Sequence, residues 1–194
     1  MNKEFQEKGI GIDNVAVNRK VLLLERAFEH AIWKIGRWAS EADKKAGKIY
    51  SKKEALKLFG VPQFTEFERN CLLNEGINEF WTILCSASGT KFDNANAQTG
   101  VGDSTVAEAA TQTDLQAATN KAYVGMMTGF PTYGTAQKAT WKSSYDGTTA
   151  NYAWEEFIVR NGATALKDIC RKVSAQGTKA SGQVWELSIE ITLS

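Results

Sequence analysis

The residues whose types could support chemistry are few and lie far apart along the chain. His30 is the only histidine of the 194 residues. Nothing in the sequence around it points to the nucleophile and orienting acid that a general base needs. A single imidazole also cannot supply the usual nitrogen ligands of a zinc site. Gly100 and Gly102 resemble the start of a phosphate-binding loop, but the third glycine and a following Lys-Ser or Lys-Thr pair are missing.

Glu155 and Glu156 come nearest to the carboxylate pair of a glycoside hydrolase. Adjacent residues of a strand point to opposite faces, so these two carboxylates cannot flank one bond. Asp103 and Asp114 have no assigned partner. We therefore expect that the protein is not an enzyme and that it uses no cofactor and no metal.

Large aromatic residues are concentrated in the second half of the chain. They could stack on sugars if exposed, or they could fill the core of a sandwich. Trp185 begins an alternating strand, which favours the core. Tyr145 and Tyr152 flank a turn signal at Asp146-Gly147, so they are the candidates for an exposed glycan-binding face.

Composition is typical of a globular protein, with 43% hydrophobic residues, 23% charged residues and a net charge of +1. This charge produces no global field toward nucleic acid or a membrane surface, and we expect neither as a direct partner. Cys71, Cys85 and Cys170 form no C-x-x-C pair, and their odd number argues against a disulfide framework. We interpret them as small core residues in a reducing cytoplasm. The polar N-terminus lacks the apolar run of a signal peptide.

The first 63 residues predict a helical N-terminal region or arm. A long helix follows Asp13 or Asn14, and its apolar residues are spaced alternately by four and three. Such an apolar helix must be buried on more than one side, either by the rest of the chain or by a second subunit. It supplies the candidate interface residues, which are Val17, Val21, Leu24, Phe28, Ile32, Trp33, Ile35 and Trp38.

Two shorter helices are also predicted. Ser51 and Glu54 have the spacing of a capping box, and Gly60 is a natural stop, so the first runs over about 51–59. The second covers about 75–84, with Ile77, Phe80, Trp81 and Leu84 on one side.

Beyond the second of these helices, β-rich runs alternate with turn residues. They are Ala97 to Val101, Lys121 to Met127, Ala136 to Tyr145, Ala153 to Asn161, Ile169 to Ala175 and Val184 to Leu193. Strands at this spacing predict a β-sandwich. The expected fold class is α+β, with residues 1–63 helical and residues 64–194 an antiparallel β-sandwich with a leading helix.

Several segments of the second half occur in an order that resembles a family of tailed-bacteriophage virion proteins. They begin with Asn74-Glu75-Gly76-Ile77-Asn78 before a helix and Gly100-Val101-Gly102-Asp103-Ser104 at a turn. An Ala/Thr-rich loop with Thr113-Asp114-Leu115, a strand with Trp154-Glu155-Glu156 and the segment Gly177-Thr178-Lys179-Ala180-Ser181 follow. Similar domains begin tail-fibre proteins and form small structural proteins of the head and neck. The helical front has no clear counterpart in that family.

The resemblance implies a virion structural protein, made in the cytoplasm of a host bacterium and located in the virion. We expect a capsid decoration or cement protein, or a head–tail joining component. Its partners would be other phage structural proteins, including major capsid or tail proteins, and further copies of itself. The alternative is a tail-fibre or baseplate component that binds host surface glycan.

Overall fold

A computed structural model describes residues 31–86, 88–162 and 166–193. Within them, two five-stranded antiparallel sheets are accompanied by three helices. The strands are β1 (Ala31–Trp38), β2 (Phe64–Glu68), β3 (Cys71–Leu72), β4 (Gln98–Gly102), β5 (Lys121–Gly125), β6 (Thr132–Thr135), β7 (Lys138–Tyr145), β8 (Glu156–Arg160), β9 (Asp168–Val173) and β10 (Val184–Thr192). The helices are α1 (Glu41–Lys45), α2 (Lys52–Phe59) and α3 (Asn74–Ser86).

Sheet 1 has the strand order β2-β1-β10-β7-β6, and sheet 2 has the order β3-β9-β8-β4-β5. The predicted β-rich character is confirmed, and each of the six predicted β runs overlaps one strand. The alternating sequence of β10 places Trp185, Leu187 and Ile189 in the core, where all three are buried. Their neighbours Glu186 and Ser188 face outward on sheet 1.

Residues 31–38 form a strand, so the prediction of a helix there was wrong. β1 pairs with β10 over its whole length, from Ala31 opposite Ile191 to Trp38 opposite Val184, and with β2 on its other side. Its odd-numbered residues are buried, which is the period of two that a strand requires. Sheet 1 therefore includes a strand from the 1–63 segment. The rest of the predicted helix, up to residue 30, lies outside the described residues.

The two shorter helices are confirmed. Ser51 caps α2 by accepting a hydrogen bond from the Glu54 amide, and the Glu54 carboxylate accepts one from the Ser51 amide. Gly60 ends the helix with a φ of 72°, a left-handed conformation that glycine adopts without strain. Helix α3 follows the predicted range and extends it by a turn or less at its C-terminal end.

The two sheets are joined by a cluster of aromatic side chains. The ring of Trp154 lies 4.8 Å from those of Tyr145 and Trp185, and the ring of Trp33 lies 5.9 Å from that of Phe157. All five side chains are fully buried. Burial of this area is the main driving force that holds the sheets together.

Tyr145 is therefore a core residue, and it is not available to the exposed glycan-binding face for which it was a candidate. Its hydroxyl donates a hydrogen bond of 2.8 Å to the Thr99 carbonyl. Tyr152 is half-buried, and its hydroxyl donates to the Val101 carbonyl.

The three cysteines are free, and their environments differ. Cys170 is buried, as predicted for a core residue, and Cys71 is half-buried. Cys85 is exposed near the end of α3, so its assignment to the core was wrong. Within the described ranges, no helix combines the length and the apolar character that crossing a membrane requires.

The aromatic cluster makes a direct prediction about stability. Trp154→Ala should lower the free energy of unfolding by about 3–5 kcal/mol, because it leaves a cavity between the sheets. Urea denaturation followed by circular dichroism measures this change. Tyr133→Ala is the control, since Tyr133 is 76% exposed and should change the stability by less than about 0.5 kcal/mol. Equal small losses in both variants would contradict the assigned role of Trp154.

Candidate interaction surface

The four predicted interface residues that the structure describes do not share one surface. Val17, Val21, Leu24 and Phe28 lie outside the described residues. Trp33 and Ile35 are 0% and 1% exposed, because they point into the core from β1, so they are not available to a partner. Ile32 and Trp38 are half-buried on the opposite, outer face of the same strand.

Helix α3 instead presents three large apolar side chains to solvent. Ile77, Trp81 and Leu84 are 38%, 55% and 59% exposed. Their spacing of four and then three residues places them along one side of the helix, and we call them the α3 row. The predicted apolar side of this helix is thus partly a surface feature, which the sequence pattern alone could not distinguish from a core-facing one.

The orientation of α3 is set by contacts on its other side. Gly76 packs directly on sheet 2, where a Cβ atom would lie only 2.4 Å from the carbonyl oxygen of Asp168. The Glu75 carboxylate accepts a hydrogen bond of 2.8 Å from the Asp168 amide. Farther along, the Glu79 carboxylate accepts one from the Asn161 side chain. These contacts hold one face of the helix on the sheet and leave the α3 row facing outward.

An exposed apolar row at this spacing is the pattern by which a helix docks on another protein. Anchors at i, i+4 and i+7 insert into a complementary groove, and aromatic residues such as Trp81 contribute most to such contacts. The α3 row can contribute to binding by burying apolar surface against a partner.

A buried polar cluster lies beneath α3, on the outer side of sheet 2. Asp168 is 1% exposed, and neither of its carboxylate oxygens has a hydrogen-bond partner among the residues that the structure describes. Burial, together with the nearby charges of Asp114 and Glu75, raises the pKa of Asp168 to about 8. A substrate cannot reach a carboxyl group this deeply enclosed, so its altered pKa bears on stability.

The other members of this cluster hold Asp114 in its charged form. Burial acts to raise the pKa of Asp114, but hydrogen bonds from Tyr123 and Lys121 outweigh burial and lower it. The guanidinium of Arg160 stacks 3.5 Å from the centre of the Tyr123 ring. Asp114 lies in the loop that covers sheet 2, so these contacts attach the loop to the sheet.

The Gly100-Val101-Gly102 segment lies within β4, and its glycines make room for packing. A Cβ atom on Gly102 would lie 2.4 Å from a carboxylate oxygen of Glu156. Glu156 and Arg171 are both fully buried and form an ion pair of 2.6 Å. Glu156 also accepts hydrogen bonds from the amides of Gln116 and Ala117. These residues join the covering loop to the sheet. The close packing explains why the segment contains glycines, and no phosphate-binding role is needed to explain them.

Comparison with known proteins finds no match to this chain, whether among protein-family models, curated proteins or solved structures.

The buried Asp168 predicts an unusual dependence of stability on pH. Its pKa is about 8 in the folded protein and about 3.9 in an unfolded chain. Folding therefore takes up a proton between these values, and the associated stability is complete below about pH 4 and lost as the pH rises to about 8. In Asp168→Asn this contribution is absent, so its stability should fall less than that of the wild type between pH 5 and pH 8.

Urea denaturation at a series of pH values in this range measures the difference. The matched control is Glu41→Gln, because the side chain of Glu41 is 53% exposed and pairs with Lys45 on the surface of α1. Parallel profiles for the wild type and Asp168→Asn would contradict a protonated, buried Asp168.

Proposed function

We propose that this protein is a structural component of a bacteriophage virion, which decorates or cements the capsid or joins head to tail. Its work is to bury apolar surface against neighbouring subunits and so raise the barrier to disassembly of the particle. The observation that carries the proposal is the α3 row. The partners of the protein are other phage structural proteins or further copies of itself, and we propose no catalytic role for it.

The sequence segments that resemble phage virion proteins occupy structural positions in this fold, which supports the proposal. The Asn74–Asn78 segment begins α3 and includes Gly76, the glycine on which the helix packs. In the Gly177–Ser181 segment, the buried Lys179 donates hydrogen bonds to the carbonyl oxygens of Asp146 and Thr149. Such residues define a scaffold, as expected of a protein that acts through its surfaces.

The alternative is a tail-fibre or baseplate component that binds glycan at Tyr145 and Tyr152. The position of Tyr145 in the fold argues against it. Tyr145 is enclosed between the sheets, and only part of Tyr152 reaches solvent. Glycan binding would therefore need a different surface.

The test uses particles of the phage that carries this gene, prepared with the gene deleted. Wild-type protein should bind these particles and reduce their loss of DNA on heating. Trp81→Ser should bind roughly tenfold more weakly or worse, because it removes the central aromatic anchor of the α3 row. Co-sedimentation measures the bound fraction.

Ile49→Ser serves as the control, since Ile49 is also a large exposed apolar residue but follows α1 instead of lying on α3. It should bind as the wild type does. The proposal fails if the wild-type protein does not bind the particles. If Trp81→Ser binds normally, the virion role stands but the α3 row is not its contact surface.

A further inference from the structure

A groove of about 530 Å³ crosses the outer face of sheet 1. It is lined by polar side chains and backbone of the central strands, and aromatic rings approach from both edges of the sheet. The aromatic residues are Trp38, Phe64 and Phe130, and the small residues between them are Gly36, Thr140 and Ser188. Its volume falls within the range of pockets that hold small ligands.

Gly36 makes the groove possible, because it leaves the centre of β1 without a side chain. The ring of Trp38 folds back over this position, where a Cβ atom would lie 2.7 Å from it. Phe64 meets the Trp38 ring edge to face, with centroids 5.8 Å apart and an interplanar angle of 79°. The two rings thus form a corner with two nearly perpendicular apolar surfaces.

The charged groups of the groove are already paired with one another. The Glu186 carboxylate contacts the ammonium groups of Lys44 at 2.8 Å and Lys142 at 2.6 Å. Lys34 pairs with Glu66 at 3.3 Å. The charged residues that line the groove carry no net charge together; they are Lys34, Glu66, Lys142 and Glu186, and Lys44 is not among them. Charges held in this way still offer fixed donors and acceptors to the hydroxyl groups of a neutral ligand.

Phe130 completes the opposite side of the groove. Its ring centre lies 5.9 Å from the Lys142 ammonium group, which places it beside the paired charges. A ligand lying between Phe64 and Phe130 would meet an aromatic side chain on each side and polar side chains between them. A carbohydrate has this combination, because its rings carry apolar C–H faces and a border of hydroxyl groups.

From this geometry we propose that the groove binds a neutral carbohydrate chain. The site lies on sheet 1, whereas the α3 row lies on a helix packed against β9 of sheet 2, so the two surfaces are separate. The inference does not depend on the virion role, and a protein with both surfaces could attach to one partner while it holds a glycan.

The experiment titrates the full-length, 15N-labelled protein with maltotetraose, cellotetraose and chitotetraose, each at millimolar concentration, and follows amide and indole resonances by NMR. At least one sugar should shift the resonances of Trp38 and of residues 64–66 in a saturable way. Phe64→Ala and Phe130→Ala should each weaken this binding roughly tenfold. Unchanged spectra elsewhere show that the variants remain folded.

Tyr133→Ala is the matched control, because Tyr133 is an exposed aromatic residue of β6 that does not line the groove. It should bind as tightly as the wild type. The proposal is overturned if no sugar shifts the groove resonances, or if both phenylalanine variants bind normally. Saturable shifts with a mixed-charge peptide but with no sugar would also overturn it, because they would identify a peptide-binding groove.

Discussion

The pairing of β1 between β2 and β10 determines both the core and the outer surface of sheet 1. On the inner side, Trp33 stacks with Phe67 at 6.1 Å and packs against Phe157 of the opposite sheet. On the outer side, Gly36 and Trp38 line the groove. Because the side chains of a strand alternate, a shift of one residue in this pairing would expose Trp33 and bury Lys34. The core and the groove therefore depend on the same register.

Buried charged residues connect the loops to this framework. Arg37 lies over the Trp185 ring and donates hydrogen bonds to the carbonyls of Pro62 and Gln176. The Glu156–Arg171 pair and Lys179 act in the same way at other loops. Burying these charges costs desolvation energy, so they stabilise the fold only when all their partners are in place. Through these contacts the loops are attached to the two sheets.

The sequence predicts some parts of this structure and not others, for physical reasons. Local signals sufficed for α2, whose capping box lies within four residues, and for β10, whose alternation is unbroken. β1 was misassigned because Ala31, Ile35 and Trp38 also continue a helical spacing, and only pairing with distant strands decides between the two periods. β3 and β6 are too short to give a pattern. The groove combines side chains from residues 38, 64 and 130. The Glu156–Arg171 pair joins different strands. Neither could be read from spacing along the chain.

The most direct test of this account asks whether residues 64–194 fold without β1. Without β1, strands β2 and β10 lose their shared partner and the inner side of sheet 1 loses Trp33 and Ile35. We predict that the isolated 64–194 fragment gives a poorly dispersed 1H–15N NMR spectrum, and that a fragment beginning at residue 31 gives a dispersed one. A well-dispersed spectrum of the 64–194 fragment, with its tryptophan resonances unchanged from the full-length protein, would contradict the central role of β1.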